Sequence, residues 1–479
     1  MSADGPYAGS LRRLLSGFAV LAVGSVAGQI VSFVALAVVA RRIGPENLGA
    51  YQFAFALTQY FAIPVNLGVG VLAIRDVARE PARVREVAGE VMVLLALLSA
   101  LAYGLLLALT PLLATTDAAR TLLPITGLTF VIQAFGLEWA LQGLRRLGTL
   151  AVLRLVSAAI AGGLSILLVD DGLEGARTYA WLVLVAWAIL AGGSLLAVLR
   201  GGGGPALCFD PGRLRRRFVR SVPFGVSLIL IQVYYSLDSV MLGYLRDDKE
   251  VGIYAAAYRI PLAVAGFAGL WVTALYPHAA EVFESEPDRL RRQVGRLATL
   301  SLLAALPFGI AATLLATDLM PAIFGDPYAA AATPFALLAW SAAIIIVSVN
   351  FGNVLLAAGD ERFYIVGVGA GALLNVALNF ILIPPFGVEG AGIATISAEA
   401  LVLVVMAVRF RRRLGPPPLE AGRALRGLGA AVCLAVVLLL LRDEVVVWVA
   451  AATGAAVYVA AALVLGAARP RELRALLRR

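Results

Sequence analysis

The sequence predicts an all-α membrane protein with about fourteen transmembrane helices, arranged as two six-helix bundles and a further helix pair. Three observations predict this fold class. First, 61% of the 479 residues are apolar and only 14% are charged, a composition outside the range of ordinary soluble domains. Second, the chain contains a series of apolar stretches of ~20 residues, the length that crosses a ~30 Å hydrocarbon core. Third, positive charge is unequally divided between alternate loops.

The apolar stretches form two groups of six and a final pair. The first group covers residues 14–40, 49–73, 88–113, 120–143, 149–169 and 177–199. The second group covers 217–245, 251–278, 294–316, 331–357, 362–383 and 388–408, and the pair covers 423–441 and 444–466. The even number of spans places both termini on one side of the membrane. Six spans per group give both groups the same orientation, as in parallel repeats.

Basic residues are distributed unevenly between the two sides that these spans define. With the N-terminus in the cytoplasm, 31 of the 39 lysines and arginines lie on the cytoplasmic side and 8 on the other. Cytoplasmic loops of membrane proteins show this bias. The net charge of +9 therefore reflects topology and does not indicate a nucleic-acid-binding protein. Residues 11–40 are expected to be an uncleaved first span, because the apolar run is too long for a signal peptide.

A polar linker at residues 200–220 separates the two groups of spans. Four consecutive glycines and Pro205 oppose helix formation, and the arginines of the linker do not belong unpaired in hydrocarbon. We expect an N-terminal bundle, a cytoplasmic linker with the start of span seven, a second bundle, and a helix pair with a basic tail. The predicted limits of these regions are residues 1–199, 200–220, 221–410 and 411–479.

Short matches between the two groups of spans indicate an internal repeat. Gly49 and Tyr51 correspond to Gly252 and Tyr254 at an offset of 203 residues. Further matches are Pro81, Arg83 and Arg85 with Pro287, Arg289 and Arg291 (offset 206), Gly143 and Arg146 with Gly359 and Arg362 (216), and Glu174, Gly175 and Ala176 with Glu389, Gly390 and Ala391 (215). Four matches in the same order, with slowly changing offsets, predict two copies of one folding unit.

Arg41 and Arg42 end the first span on the side that carries few positive charges. Basic side chains at a helix end can extend to lipid headgroups. Alternatively, the two arginines form a cationic wall that binds an anionic substrate, because the planar guanidinium group suits phosphate. The sequence leaves both interpretations open. Arg75 and Asp76 follow span two on the predicted cytoplasmic side and are expected to form a surface ion pair.

Span seven carries more polar side chains than a lipid-facing helix retains, which predicts that it faces a wet cavity or a partner helix. Gln232, Tyr235 and Asp238 are the main candidates for a polar cavity on this span. Arg259, in the next span, shares the depth of Asp238, roughly 10 Å from the helix end. The two side chains are expected either to form a fixed salt bridge or to separate when Arg259 binds a substrate phosphate.

Polar side chains also occur at mid-membrane positions elsewhere. In the second group, Asn375 and Asn379 can hydrogen-bond between helices. Glu399 is the best candidate for a carboxylate that titrates during transport, with a hydrogen-bonded neutral acid as the alternative. In the first group, Glu138 and Arg154 share a depth and predict a structural ion pair.

The sequence offers few residues for catalysis or metal binding. His278 is the single histidine, which excludes a multi-histidine metal cluster. Lys249 is the single lysine and no Walker loop precedes it. Asp247 and Asp248 form an acidic pair in a short loop, where solvated side chains are expected rather than a bound divalent ion. We predict no cofactor, no metal and no catalytic residue.

The segment from Arg41 to Tyr51 resembles the end of the first span in polysaccharide transport proteins, and so does the run from Pro223 through Asp238 and Gly252 to Pro277. These proteins are the Wzx-like flippases of lipid-linked oligosaccharides. Their superfamily also contains the multidrug and toxin extrusion transporters and the lipid II flippase. The resemblance extends over nearly the whole chain and implies two six-helix bundles around a central cavity. It also implies cationic groups in that cavity, for which Arg41, Arg42 and Arg259 have suitable positions.

The function that this resemblance implies is movement of a polyprenyl-diphosphate-linked oligosaccharide from the inner to the outer leaflet of a bacterial plasma membrane, by alternating access. The implied partners are membrane lipids, the glycan substrate and a polysaccharide polymerase or glycosyltransferases, without nucleic acid. A lipid II flippase and a cation-coupled multidrug exporter are alternatives, and the exporter predicts acids rather than arginines in the cavity. A membrane enzyme of polysaccharide synthesis is a third alternative, although every predicted outer loop is short.

Overall fold

The computed structural model describes residues 6–201 and 204–469, with side chains described for 24–201, 204–223, 225, 236–266 and 285–469. Within these ranges the chain is helical and contains no β-strand. Ten helical stretches of the described residues are long and apolar enough to cross a membrane. The predicted all-α membrane fold is therefore confirmed.

In the described ranges, fourteen α-helices follow one another along the chain. They are α1 (Pro6–Asn66), α2 (Val69–Arg79), α3 (Val84–Leu113), α4 (Asp117–Gln133), α5 (Glu138–Gly143), α6 (Leu147–Leu168), α7 (Gly172–Leu199), α8 (Pro211–Leu245), α9 (Asp248–Ser285), α10 (Pro287–Phe324), α11 (Ala332–Ala357), α12 (Glu361–Leu414), α13 (Ala421–Leu441) and α14 (Val447–Val464). Short 3-10 helices at Pro81–Arg83 and Asp326–Ala331 precede α3 and α11.

Two of the longest helices contain a backbone break at a glycine. Gly44 in α1 has φ 76° and ψ 169°, and Gly387 in α12 has φ 54° and ψ −129°. Glycine adopts a positive φ with little steric cost, so each break ends one helical segment and begins another. Each predicted span then falls on one helical segment or, for the second and fourth spans, on two consecutive segments.

The chain forms two compact units, residues 1–252 and 253–479. In the first unit α1 packs against α4, α6, α7 and α8, and Leu36, Phe53 and Phe130 are among its fully buried side chains. The helix after the polar linker, α8, packs against α1 and α2 and so belongs to this unit. The bundle limits predicted from the sequence, 1–199 and 221–410, were drawn from the internal repeat and not from contacts between helices. They stay a prediction.

The second unit is built around α10, α11 and α12. Leu290 of α10, Phe351 of α11 and Phe410 of α12 lie in one apolar core. The terminal helices α13 and α14 pack against α10 through a second core, in which the Tyr458 hydroxyl donates a hydrogen bond to the backbone carbonyl of Leu303. The terminal pair is thus an integral part of the second unit.

Large apolar side chains are exposed on the surfaces of both units. Leu101, Leu112, Leu167, Leu373 and Val464 are between 72% and 85% exposed. Soluble proteins rarely expose extended apolar patches, whereas a helix surface in contact with lipid tails is apolar. These exposed side chains agree with a membrane location.

The chain entering α3 and the chain entering α10 have the same local structure. Glu80 has φ −134° and ψ 78°, Glu286 has φ −140° and ψ 63°, and a proline follows each of them. The arginine three residues later pairs with each glutamate, Arg83 at 3.6 Å and Arg289 at 3.1 Å. The sequence match at an offset of 206 residues therefore corresponds to a shared capping turn.

The turns after α5 and α11 also share a structure, but at another offset than the sequence match predicts. The backbone N–H groups of Arg146 and Asp360 each donate to the carbonyl five residues earlier, at 2.8 and 2.9 Å, as in a Schellman motif. Arg145 (φ 58°) takes the position with positive φ that Gly359 (φ 70°) takes in the second turn. The structural offset is thus two residues smaller than the one obtained by matching glycine to glycine.

Candidate functional site

The two arginines at the end of the first span lie in the last turn before the break at Gly44. Both side chains are exposed. Arg42 Nη1 donates a hydrogen bond of 2.7 Å to the backbone carbonyl of Val169, directly after α6. A helix C-terminus carries partial negative charge and attracts cations, so the Arg42 side chain is held over the end of a neighbouring helix.

The predicted polar face of span seven is only partly described. Asp238 is 5% exposed in α8 and lies close enough to Tyr60 of α1 to interact with it electrostatically. The side chains of Gln232 and Tyr235 lie outside the described residues. Arg259 is half-buried in α9. Asp238 and Arg259 belong to different units, and their predicted exchange stays a prediction.

The polar residues of the last spans come together inside the second unit. Asn379 Nδ2 donates to Asn375 Oδ1 at 3.1 Å, and Asn375 Nδ2 donates to Thr395 Oγ1 at 3.5 Å. The hydroxyl groups of Thr395 and Tyr254 are 3.4 Å apart. Glu399, one helical turn beyond Thr395 on α12, is 6% exposed. The structure therefore joins Asn375 and Asn379 with Thr395 in one buried polar region, and Glu399 is buried one turn away, on the side of Tyr364.

This polar region offers oxygen atoms in an otherwise apolar interior. Thr395 Oγ1 donates to the carbonyl of Ala391 at 3.0 Å, and the Asn375 and Asn379 amides are linked to each other. Oxygen ligands suit a proton or a hard cation. In the described part of the chain, no group of three or more His, Cys, Asp or Glu residues could hold a metal ion.

Asp248 is not the solvated loop residue that the sequence predicts. Its side chain is 4% exposed, and Oδ2 accepts a hydrogen bond of 2.6 Å from the Thr116 hydroxyl. Burial raises the pKa of Asp248, the bond from Thr116 opposes this, and the nearby carboxylates of Glu46 and Asp247 add to the increase. The prediction was wrong because the start of α9 packs against the start of α4, a contact between segments distant in sequence.

A second buried ionic group was also missed by the sequence. Arg217 of α8 is 7% exposed and donates to Glu90 of α3 at 2.8 Å and to Asp76 of α2 at 3.2 Å. Asp76 therefore pairs with Arg217 on another helix. The prediction that it forms a surface pair with its neighbour Arg75 was wrong. A buried arginine with two carboxylates fixes the relative positions of the three helices that carry them.

The predicted ion pair between Glu138 and Arg154 is confirmed. Arg154 Nη2 and Nε donate to Glu138 Oε2 at 3.0 and 3.2 Å. The side chain of Glu138 is 23% exposed and that of Arg154 is 38% exposed. Depth estimated from span positions was sufficient here, because both residues lie about the same number of residues from the same end of consecutive spans.

Comparison with known families gives two matches. Residues 14–283, more than half of the chain, match the model of the family described as polysaccharide biosynthesis protein. Residues 223–381 match the MatE family. The two matches overlap in α8 and α9, so the family signal runs continuously from the first unit into the second.

Two curated relatives come from Haloferax volcanii. The probable low-salt glycan biosynthesis flippase Agl15 is 24% identical over 268 residues, which are 56% of this chain and 56% of that protein. The probable flippase AglR is 26% identical over 204 residues, 41% of this chain and 42% of that protein. The chain thus matches about half the length of these relatives.

Solved structures share the fold over almost the whole chain. The lipid II flippase MurJ in an inward closed conformation has a TM-score of 0.75 at 11% identity, and the alignment covers 95% of this chain and 99% of MurJ. An inward-facing multidrug resistance MATE family transporter has a TM-score of 0.57 at 16% identity, with 81% and 94% coverage. With the fold shared and the family model matched over more than half of its length, the chain belongs to the polysaccharide biosynthesis protein family.

Proposed function

We propose that the protein is a flippase that moves a polyprenyl-diphosphate-linked oligosaccharide from the inner to the outer leaflet of the membrane, for the synthesis of a surface polysaccharide. The observation that carries this proposal is the family match over residues 14–283. Two curated relatives with flippase in their names support it. The fold shared with a lipid II flippase, over 95% of the chain, agrees with it.

The physical requirement on such a protein is to shield polar groups while they cross the bilayer. Moving sugars and a diphosphate through hydrocarbon without hydrogen bonds costs several kcal/mol for each polar group. In the proposed mechanism the sugars cross through a wet cavity between two six-helix bundles, while the lipid tail stays in the bilayer. Rocking of one bundle against the other opens the cavity to each side in turn.

The proposed headgroup site uses positive charge. Arg41, Arg42 and Arg259 would bind the diphosphate, because guanidinium groups bind phosphate oxygens in pairs. Asp238, with Gln232 and Tyr235, would line the polar path. The exposure of Arg41 and Arg42 supports this assignment, and the bond from Arg42 to Val169 holds one of these cations at the end of α6.

The energy for transport would come from an ion gradient, the membrane potential or consumption of the product, because the chain contains no Walker loop. Asn375, Asn379 and Glu399 are the proposed coupling residues. The burial of all three side chains in the second unit supports that role, since a carboxylate buried in a membrane protein is a candidate for proton or cation coupling. We further propose a bacterial plasma-membrane location with both termini cytoplasmic, and a polysaccharide polymerase or glycosyltransferases as partners.

Transport can be tested with purified protein in vesicles that contain a fluorescent polyprenyl-diphosphate disaccharide in both leaflets. A membrane-impermeant quencher or glycosidase added outside reports how much substrate reaches the outer leaflet. The proposal expects faster exposure of the inner pool in protein-containing vesicles than in empty ones. It expects a slower transport rate for the double variant Arg41→Ala/Arg259→Ala than for the control Arg120→Ala. Arg120 is an exposed arginine that pairs with Asp117. Equal rates in protein-containing and empty vesicles would refute the flippase function.

A multidrug exporter is the second candidate, favoured by the MatE match over residues 223–381 and by the fold shared with a MATE transporter. An exporter of organic cations needs uncompensated acids at its binding site. The vesicle experiment separates the two functions when rhodamine 6G replaces the lipid substrate. Proton-driven accumulation of the dye, without movement of the lipid, would favour the exporter.

A further inference from the structure

A cavity of about 300 Å³ lies inside the first unit, among α1, α2, α3, α4, α5 and α7. Its size is at the lower limit of small-molecule binding sites, ~300–1,000 Å³, which suits a ligand of one sugar ring. Its polar and aromatic lining residues are Asn66, Gln133, Glu138, Trp139, Gln142 and Trp187. The sequence predicts an ion pair at Glu138 but gives no sign of a cavity beside it.

Two helical runs are interrupted at the wall of this cavity. α1 ends at Asn66, and α2 starts after Gly68, which has φ 73°. α4 ends at Gln133 and α5 starts at Glu138. Interrupted helices inside a membrane expose backbone polar groups, and they occur where those groups line a cavity or a binding site. Both interruptions lie at the same cavity.

Several polar groups of the lining have no hydrogen-bond partner among the described residues. Trp139 is 8% exposed, and its indole Nε1 has no hydrogen-bond partner among the described residues. A buried indole N–H usually has one. Within the same ranges, the side-chain amides of Gln133 and Gln142 make no hydrogen bond to the protein, and each amide offers both donors and an acceptor.

The charge of the cavity is compensated. Glu138 is the one carboxylate of the lining, and Arg154 already neutralises it through two hydrogen bonds to Oε2. A cation entering the cavity would lose its hydration without gaining an uncompensated negative partner. An anion would find the Arg154 guanidinium engaged. Oε1 of Glu138 can still accept a hydrogen bond from a neutral hydroxyl group.

We propose that this cavity is a binding site for a neutral sugar unit, separate from the arginines proposed to bind the diphosphate. Sugar rings present C–H groups that pack on aromatic rings, here Trp139 and Trp187, and hydroxyl groups that both donate and accept hydrogen bonds. Amide and carboxylate side chains satisfy those hydroxyls. The proposal deepens the flippase function and rests on it for the source of the sugar, the glycan of the lipid-linked substrate.

The test measures sugar binding directly on the full-length protein in nanodiscs, because sugar-based detergents would compete. Saturation-transfer NMR detects weak binding of methyl glucoside, methyl galactoside and N-acetylglucosamine. We expect saturable binding, and a roughly three- to tenfold higher dissociation constant for Trp187→Ala, the loss expected for one aromatic contact. Gln142→Ala should weaken binding as well.

Trp181→Ala is the matched control. Trp181 lies on the same helix as Trp187, is 50% exposed and is absent from the cavity lining, so its variant should bind sugar like the wild type. If Trp187→Ala does not fold, Trp187→Leu keeps much of the volume and loses the aromatic ring. The proposal is overturned if no sugar binds saturably, if the Trp187 variants bind as well as wild type, or if tetraphenylphosphonium displaces the sugar and marks a site for organic cations.

The binding and transport results separate the two proposals. Binding of sugar without movement of the lipid-linked disaccharide in vesicles would support the sugar site and refute the flippase function. Movement of the lipid with no effect of Trp187 on sugar binding would refute the sugar site alone. A lipid-linked disaccharide that competes with the free sugar would identify the glycan of the substrate as the source, whereas binding of free sugar only would place the site outside the transport path.

Discussion

Among the described glycines of the first unit, an added Cβ would come nearest to another atom where the second segment of α1 meets the start of α9. A Cβ added at Gly49 would lie 1.5 Å from the carbonyl oxygen of Asp248, and one added at Gly252 would lie 1.9 Å from the carbonyl oxygen of Pro45. Gly49 and Gly252 are the two glycines that the sequence repeat matches at an offset of 203 residues. The two glycines that the predicted repeat matches therefore lie against each other.

Gly49→Ala should destabilise the protein. To restore ordinary contact between the new Cβ and the Asp248 oxygen, the two helices must separate by roughly 2 Å. Overpacking of this kind costs ~1–3 kcal/mol, and more where backbone is involved. The better helix propensity of alanine returns up to ~1 kcal/mol. We expect the free energy of unfolding to fall by about 2 kcal/mol. This is the upper end of the overpacking cost, ~3 kcal/mol, minus the ~1 kcal/mol gained from helix propensity.

Gly104→Ala is the matched control, because Gly104 lies within α3 and a Cβ added there would have no neighbour within 4 Å. It should be neutral or stabilising by up to ~1 kcal/mol. Melting temperatures of both variants, in the same detergent as the wild type, make the comparison. The double variant Gly49→Ala/Gly252→Ala should lose less stability than the sum of the losses of the two single variants, since the first substitution already separates the helices. A Gly49→Ala protein that melts at or above the wild-type temperature would refute the close crossing.

Three further predictions concern charged groups. Arg217→Leu removes the buried cation from two half-buried carboxylates, which keep only longer contacts to Arg213 (3.9 Å) and Arg220 (3.8 Å), and it should cost ~3 kcal/mol, the lower end of the loss for a broken buried pair. Arg220→Leu, at a side chain 65% exposed, should cost at most ~1 kcal/mol. Melting temperatures that do not differ would contradict the burial of Arg217. Hydrogen bonds from Arg409 lower the pKa of Asp360, so its ionised form stabilises the fold above the ordinary aspartate pKa of ~3.9, and this is lost as pH falls through the lowered value. Asp360→Asn should therefore melt below wild type at pH 7, with a gap that closes under acid, and a gap independent of pH would count against the pair. In the vesicle assay, the loss of rate on removing the proposed headgroup arginines should shrink for an uncharged polyprenyl glycoside, and an equal loss for both lipids would contradict a phosphate-binding role.

Much of the fold followed from local composition. The transfer of ~20 apolar residues into hydrocarbon is favourable whatever their neighbours are, so span positions can be read from the chain alone. The excess of lysine and arginine in alternate loops can also be counted from the sequence alone, without knowledge of the tertiary structure. The capping turns at Glu80 and Glu286 were predictable as a pair, because glutamate, proline and arginine recur in the same order within a few residues.

The pairing of polar groups depended on contacts between distant segments. Asp248 was expected in solvent and is buried against Thr116, and Asp76 was expected to pair with its neighbour and pairs with Arg217 instead. The Glu138–Arg154 pair was predictable because the two residues lie on consecutive spans at one depth. Depth follows from sequence position, but the direction in which a side chain points depends on how helices pack.

The sequence by itself determined that the protein is helical and spans a membrane, and it predicts a repeated unit, because hydrophobicity, charge bias and short recurring motifs are properties of neighbouring residues. The tertiary structure decided where helices break, which carboxylates are buried and where a cavity remains. The breaks at Gly68 and at residues 134–137 become a shared cavity wall only when α2, α5 and α7 pack together. Such packing is settled by contacts between segments far apart along the chain, which no local pattern encodes.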